Sequence, residues 1–94
     1  MENKWTVYLL RCKDDTLYCG ITNDLTNRLE MHRSGKGAKY TRGRGPLELV
    51  YTEFCQDKSA ALKRELEIKS LPRQEKLKLI ESYVGQGLAP AGAV

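Results

Sequence analysis

The chain is poor in the groups that build metal cages and disulfide frameworks, with three cysteines and one histidine in 94 residues. Cys12, Cys19 and Cys55 are odd in number and no two stand at CxxC spacing. That argues against a disulfide scaffold and a zinc site, and the thiols read as reduced and mostly packed. Long apolar runs are also missing. Behind Met1-Glu2-Asn3-Lys4-Trp5 the hydrophobic stretch extends only from Val7 to Leu10. This is too short for a signal-peptide core or for the ~20 residues of a membrane span, so a cytoplasmic location is expected. No GxxxxGK[ST] phosphate loop, dinucleotide glycine fingerprint or internal repeat is present.

What is there suits one small folded domain. Hydrophobic residues make up 40% and charged residues 30%, inside the range of ordinary globular domains. At this length only about 60% of the unfolded surface can be buried, enough for one core and one site. The net charge of +4 is a modest hint of an anionic partner, but its location is more telling. Ser34 to Pro46 holds Lys36, Lys39, Arg42 and Arg44 and no acidic residue, so these four cations equal the whole excess.

Trp5 to Leu10 is rich in β-branched, aromatic and apolar residues, and Lys13-Asp14-Asp15-Thr16 has turn composition. A first strand, a hairpin turn and a returning strand from Leu17 to Ile21 follow, the first strand being apolar on both faces and central. Gly20 in the second strand suggests a close backbone approach. Thr22-Asn23-Asp24 offers capping oxygens for a helix from about Asp24 to Arg33, ended by Ser34-Gly35. A third strand is expected from Leu47 to Phe54, with Leu47, Leu49 and Tyr51 on one face and Val50 and Phe54 on the other. Two helices follow, from Asp57 to about Ser70 and from Pro72 to about Val84. The expected fold is α+β, a three-stranded antiparallel sheet with about three helices in the order β-β-α-β-α-α. Residues 1–84 form the domain, and 85–94, without periodicity, read as a disordered tail.

Several polar side chains lean inward in this scheme. Arg28 and His32 lie one turn apart and flank the Leu25/Leu29 stripe. On the second helix Ala61, Leu62, Leu66 and Ile68 define the expected buried arc, with Glu65 angularly inside it. Each has an ordinary explanation. Tyr8 and Tyr18 can be sheet tyrosines with a satisfied hydroxyl, Arg28 and His32 a solvated rim pair, and Glu65 a helical partner of Lys69. The glycine-rich basic segment around Tyr40 can be a solvated loop.

In order and spacing the same residues resemble the GIY-YIG nuclease family. The first triplet stands as Thr6-Val7-Tyr8 and the second as Tyr18-Cys19-Gly20 across a hairpin, followed by Arg28, His32, Tyr40 and Glu65. Tyr8-Leu9-Leu10-Arg11-Cys12, the segment Gly35 to Gly43, and Ala60-Ala61-Leu62-Lys63 together resemble a branch of short stand-alone bacterial members. The resemblance covers about residues 5 to 80. Two positions depart from it: Thr6 replaces the first glycine and Cys19 the usual branched apolar residue, both backbone-packing positions. Some branches add an asparagine beyond the glutamate helix, and this chain has none after Asn27.

The resemblance implies a metal-dependent endonuclease that hydrolyses phosphodiesters, with DNA expected ahead of RNA and repair or recombination as the setting by analogy. Glu65 is then the ligand of magnesium, or alternatively manganese, a hard cation suited to one carboxylate. Arg28 is implied to hold the scissile phosphate, Tyr8 to be the general base, Tyr18 to place the water or share the proton, and His32 to help lower the phenol's pKa. Lys36, Lys39, Arg42 and Arg44 would track the nucleic-acid backbone, with Tyr40 near the phosphate or stacked on a base. A targeting protein is a possible further partner, because the chain has no space for a separate targeting domain. The alternative from another class is a non-catalytic nucleic-acid-binding module on the same fold. A third reading is an adaptor that docks an acidic protein through the basic loop.

Overall fold

Five consecutive buried residues, Thr6, Val7, Tyr8, Leu9 and Leu10, make β1 (Trp5–Arg11) the middle of the molecule, since a strand apolar on both faces must be covered on both. The computed structural model describes residues 4–34 and 47–85. The expected basic-loop residues Lys36, Lys39, Tyr40, Arg42 and Arg44, and the tail past residue 85, lie outside the described residues. After β1 come β2 (Leu17–Thr22), α1 (Leu25–Arg33), β3 (Glu48–Cys55), α2 (Lys58–Lys69) and α3 (Arg73–Gly85). The sheet runs β2-β1-β3, antiparallel throughout, so the expected α+β architecture and its central first strand are both observed.

Local chemistry sets the element ends. Asp24 caps α1 by accepting from the Asn27 amide at 3.2 Å, and Asp57 caps α2 by accepting from the Ala60 amide at 2.8 Å. The β1–β2 hairpin closes with Cys12 N–H donating to the Thr16 carbonyl at 2.9 Å and Asp15 N–H to the Cys12 carbonyl at 2.8 Å. Asp15 sits there at φ 67°, the left-handed position that such three-residue hairpins require and that aspartate tolerates better than most residues. Arg73, opening α3, donates to both the carbonyl and the carboxylate of Asp15 at 3.0 and 3.1 Å, tying the hairpin to the last helix.

Alternation along β1 divides the core in two. Val7 and Leu9 face Cys19, Val50, Ala61, Ile68 and Ile80, under α2 and α3. Tyr8, Leu10 and Cys12 face Leu47 and Leu49, with Tyr18, Leu25 and Leu29 packed against them under α1. Burial of each large aliphatic side chain contributes on the order of 1.5–3 kcal/mol.

Three expected side-chain placements are corrected, the first being that Phe54, opposite Thr6, shares the Tyr8 face and not the face of Val50. Tyr51 is not on the face of Leu47 and Leu49. The register passes from Leu10 opposite Leu49 to Leu9 opposite Tyr51, so Val50 is an extra, bulged residue. After it, Val50 and Tyr51 both lie on the α2–α3 side. On α2 the buried residues are Ala61 and Ile68, whereas Leu62 and Leu66 are exposed at 43% and 67%. The helix is turned so that Ala61 lets it approach the sheet closely, and this places Arg64 and Glu65 rather than the leucines along the contact. The three thiols are free, with Cys12 and Cys19 buried, as expected.

Candidate active site

Tyr8 and Tyr18 reach one face of the sheet because antiparallel pairing sets Tyr8 opposite Gly20 and Leu10 opposite Tyr18. Residues two apart on a strand share a face. Helix α1 lies over that face by Leu25 and Leu29, and its next turn brings Arg28 and His32 inward. His32 is 2% exposed. Three rings form a triangle, with centroids 6.3 Å apart for Tyr8 and Tyr18, 5.9 Å for Tyr8 and His32, and 5.4 Å for Tyr18 and His32. Both contacts to the imidazole are edge-on, the preferred aromatic arrangement.

The polar atoms of this cluster form a row. Tyr8, fully buried, has its hydroxyl 2.9 Å from Nε2 of His32, and Arg28 is hydrogen-bonded to the same hydroxyl. Burial pushes the Tyr8 phenol up to about 12 against the pull of the Arg28 hydrogen bond. Burial, and then the Arg28 charge, lower the His32 imidazole from its usual value. The bond to Tyr8 holds Arg28 more firmly protonated than usual. At neutral pH the row is therefore Arg28 as cation, Tyr8 as phenol and His32 as neutral imidazole. The Tyr8 hydroxyl and His32 Nε2 share one hydrogen bond, in which the imidazole tautomer sets which partner donates. The expected lowering of the phenol by its neighbours is not what this geometry gives, because desolvation outweighs the single charge beside it. Among the described residues the buried Nε of Arg28 has no acceptor. A guanidinium presents a planar fork of donors, so half-buried Arg28 can bond an anion as well as lie beside Tyr8.

Glu65 takes a different position. Its helix covers the opposite face of the sheet, and its charge is felt at the Cys19 sulfur, where it adds to the burial that pushes that thiol up to about 11. Its side chain is 15% exposed and pairs with Lys69 at 3.4 Å, the ordinary i, i+4 partner anticipated from sequence. Tyr18 and Cys19 are consecutive on β2 and point to opposite faces, and β2 is an outer strand. The ring cluster and the carboxylate thus flank one sheet edge.

Among the described residues no three histidine, cysteine or carboxylate groups converge as a metal cage. A single inward carboxylate at a sheet edge fits a hard dication that keeps most of its water, and does not fit a closed zinc site. Sequence reasoning treated Gly20 only as a close approach and gave it no part in the site. A Cβ there would meet the Tyr8 hydroxyl oxygen at 2.6 Å and Tyr18 Cε2 at 3.1 Å, so the bare backbone at position 20 is the bed on which the Tyr8 ring lies. The signal was its place in the second triplet, two residues from Tyr18.

Comparison with known proteins follows the same residues. A family model described as the GIY-YIG catalytic domain matches residues 4–78. A UPF0213 protein of Oceanobacillus iheyensis is 58% identical over 81 residues, spanning 86% of this chain and 94% of that one. One from Clostridium perfringens is 57% identical over 76 residues, spanning 81% of this chain and 82% of that protein. Among solved structures, the solution structure of the UPF0213 protein BH0048 from Bacillus halodurans is similar with a TM-score of 0.55 at 47% identity, covering 83% of each chain. The solution structure of protein EF2693 from E. faecalis gives a TM-score of 0.60 at 37% identity, covering 88% of this chain and 91% of that one.

Proposed function

From the premise that this chain belongs to the GIY-YIG family, a family of nucleases, we propose that it is a divalent-metal-dependent endonuclease that hydrolyses phosphodiesters of DNA. The observation that carries this reading is the row Arg28, Tyr8, His32, in which a half-buried cation stands beside a buried phenol already hydrogen-bonded to a neutral imidazole. No helix among the described residues is long and apolar enough to cross a membrane.

Arg28 binds the scissile phosphate and stabilises the charge that gathers on it as water attacks phosphorus. A phenol with a pKa near 12 is not a standing base. Burial raises the phenol and lowers the imidazole, so complete transfer of the proton to His32 is strongly unfavourable at rest. Tyr8 therefore acts as a relay. Its proton moves to His32 Nε2 as it takes one from the water, the new P–O bond forms, and the bond to the leaving oxygen breaks, with that oxygen taking a proton from solvent. Tyr18 orients the water. Glu65 would hold magnesium, or manganese in its place, and the bound ion would supply Lewis-acid stabilisation of phosphate charge. Lys36, Lys39, Arg42 and Arg44, with Tyr40, bind the strand on either side. A repair or recombination setting and a separate targeting protein fit a domain with one site.

The test is cleavage of labelled single-stranded, duplex, nicked and branched DNA, and of RNA, with magnesium, manganese or EDTA. The parent is expected to cut DNA only with metal. Tyr8→Phe is expected to lose about 10²- to 10⁴-fold, and Glu65→Ala to fall to the EDTA level. Binding without cutting in every lane would replace this reading by a non-catalytic nucleic-acid-binding module.

A further inference from the structure

Beside Glu65, at the outer edge of β2, a cavity of about 240 Å³ is lined by Leu9, Leu17, Tyr18, Cys19, Lys69 and Lys76. Its two cations come from either side of one turn, Lys69 closing α2 and Lys76 in the opening of α3. Lys76 is placed against its own helix, since a cation near a helix N-terminus faces the positive end of the macrodipole. Among the described residues no carboxylate pairs with it, whereas Lys78 on the same helix pairs with Glu75 at 3.2 Å. Lys69 shares Glu65 at 3.4 Å. Both ammonium groups act on the Cys19 thiol in the cavity wall, in the direction opposite to Glu65, so their charge reaches the cavity rather than only the solvent. Leu9, Leu17 and Cys19 supply a water-poor wall, against which a charge interaction is stronger. An anion seated here would meet Lys69 and Lys76 together.

We propose that this cavity is a second phosphate subsite, which takes a backbone phosphate of the bound nucleic acid next to the one that is cut, with Lys76 and Lys69 as its cations. The proposal rests on the nuclease reading above and adds to it a contact on the far side of the β2 edge, opposite the ring cluster. The strand would then cross that edge, held by Arg28 on one face and by the two lysines on the other.

The experiment is the salt dependence of binding of a labelled DNA duplex, in EDTA so that no cutting occurs, between roughly 50 and 200 mM salt. Each phosphate contact contributes about 0.9 to the slope of log affinity against log salt. Because both lysines serve one phosphate, the Lys69→Gln/Lys76→Gln pair should reduce the slope by about 0.9, and Lys76→Gln alone by part of that. Lys78→Gln makes the same change of charge away from the cavity and should keep the parent slope. Parent slopes in both cavity variants would overturn the subsite alone, as would an equal loss in Lys78→Gln. A parent that binds no duplex even at low salt would overturn the nuclease reading and the subsite with it.

Discussion

A methyl group on residue 20 would stand 2.6 Å from the oxygen and 2.7 Å from the Cζ of Tyr8, closer than carbon atoms pack. Neither partner can yield easily, because Tyr8 is fully buried and fixed by His32 at 2.9 Å. Gly20→Ala should therefore destabilise by roughly 1–3 kcal/mol, as overpacking does, read from the urea midpoint. It should also lose cutting by at least about 10²-fold at temperatures where the variant stays folded, because the relay depends on the Tyr8 hydroxyl. The pair Tyr8 and His32 makes a second prediction through its protons. Where the folded His32 pKa lies below that of the unfolded chain, the unfolded chain binds more protons as pH falls. The His32 contribution is then whole above about pH 6.5 and is lost as pH drops toward the folded value. Tyr8 has the opposite sign. Its contribution is whole below about pH 10 and is lost as pH rises toward 12. Urea midpoints should be level between these limits and decline on both sides. His32→Gln should reduce the acid decline, and Tyr8→Phe the alkaline one.

Helix α2 separates what local sequence encodes from what packing decides. Its limits were legible because Asp57 and Ser70 act on their own neighbours, and the same holds for Asp24 and Ser34 at the ends of α1. Its buried face was only half legible. Counting leucines turned the helix toward Leu62 and Leu66, while the structure turns it on Ala61 and Ile68. A small residue that permits close approach leaves no hydrophobic signal of its own. Ile68→Ala should accordingly cost about 2–4 kcal/mol and Leu66→Ala less than about 0.5 kcal/mol, measured by denaturant unfolding. Equal losses would mean that the helix is turned as sequence alone suggests. The bulge at Val50 was not legible for a related reason. Glu48-Leu49-Val50-Tyr51 carries no glycine, and the register shift exists only against Leu9 and Leu10 of another strand.

Across the whole molecule, charge is distributed so that the segment containing Lys36, Lys39, Arg42 and Arg44 holds the entire net +4, and the remaining residues balance. If those four cations, Arg28 and the cavity each meet one phosphate, the parent slope of log affinity against log salt should be about −5.4. Replacing the four loop cations with glutamine should leave about −1.8. The order and kind of the elements, and the inward turn of Arg28, His32 and Glu65, could be read in advance because strand alternation and helical period are local. That Glu65 belongs to the other face of the sheet could not, since it depends on which side of β1 each helix covers. β2 is an outer strand, and under the proposed mechanism the ring cluster and the carboxylate face substrate around its free edge. Any assembly that added a strand there, from a second copy or another chain, would close the passage between them. Under that mechanism, sheet extension on that side and turnover would exclude each other.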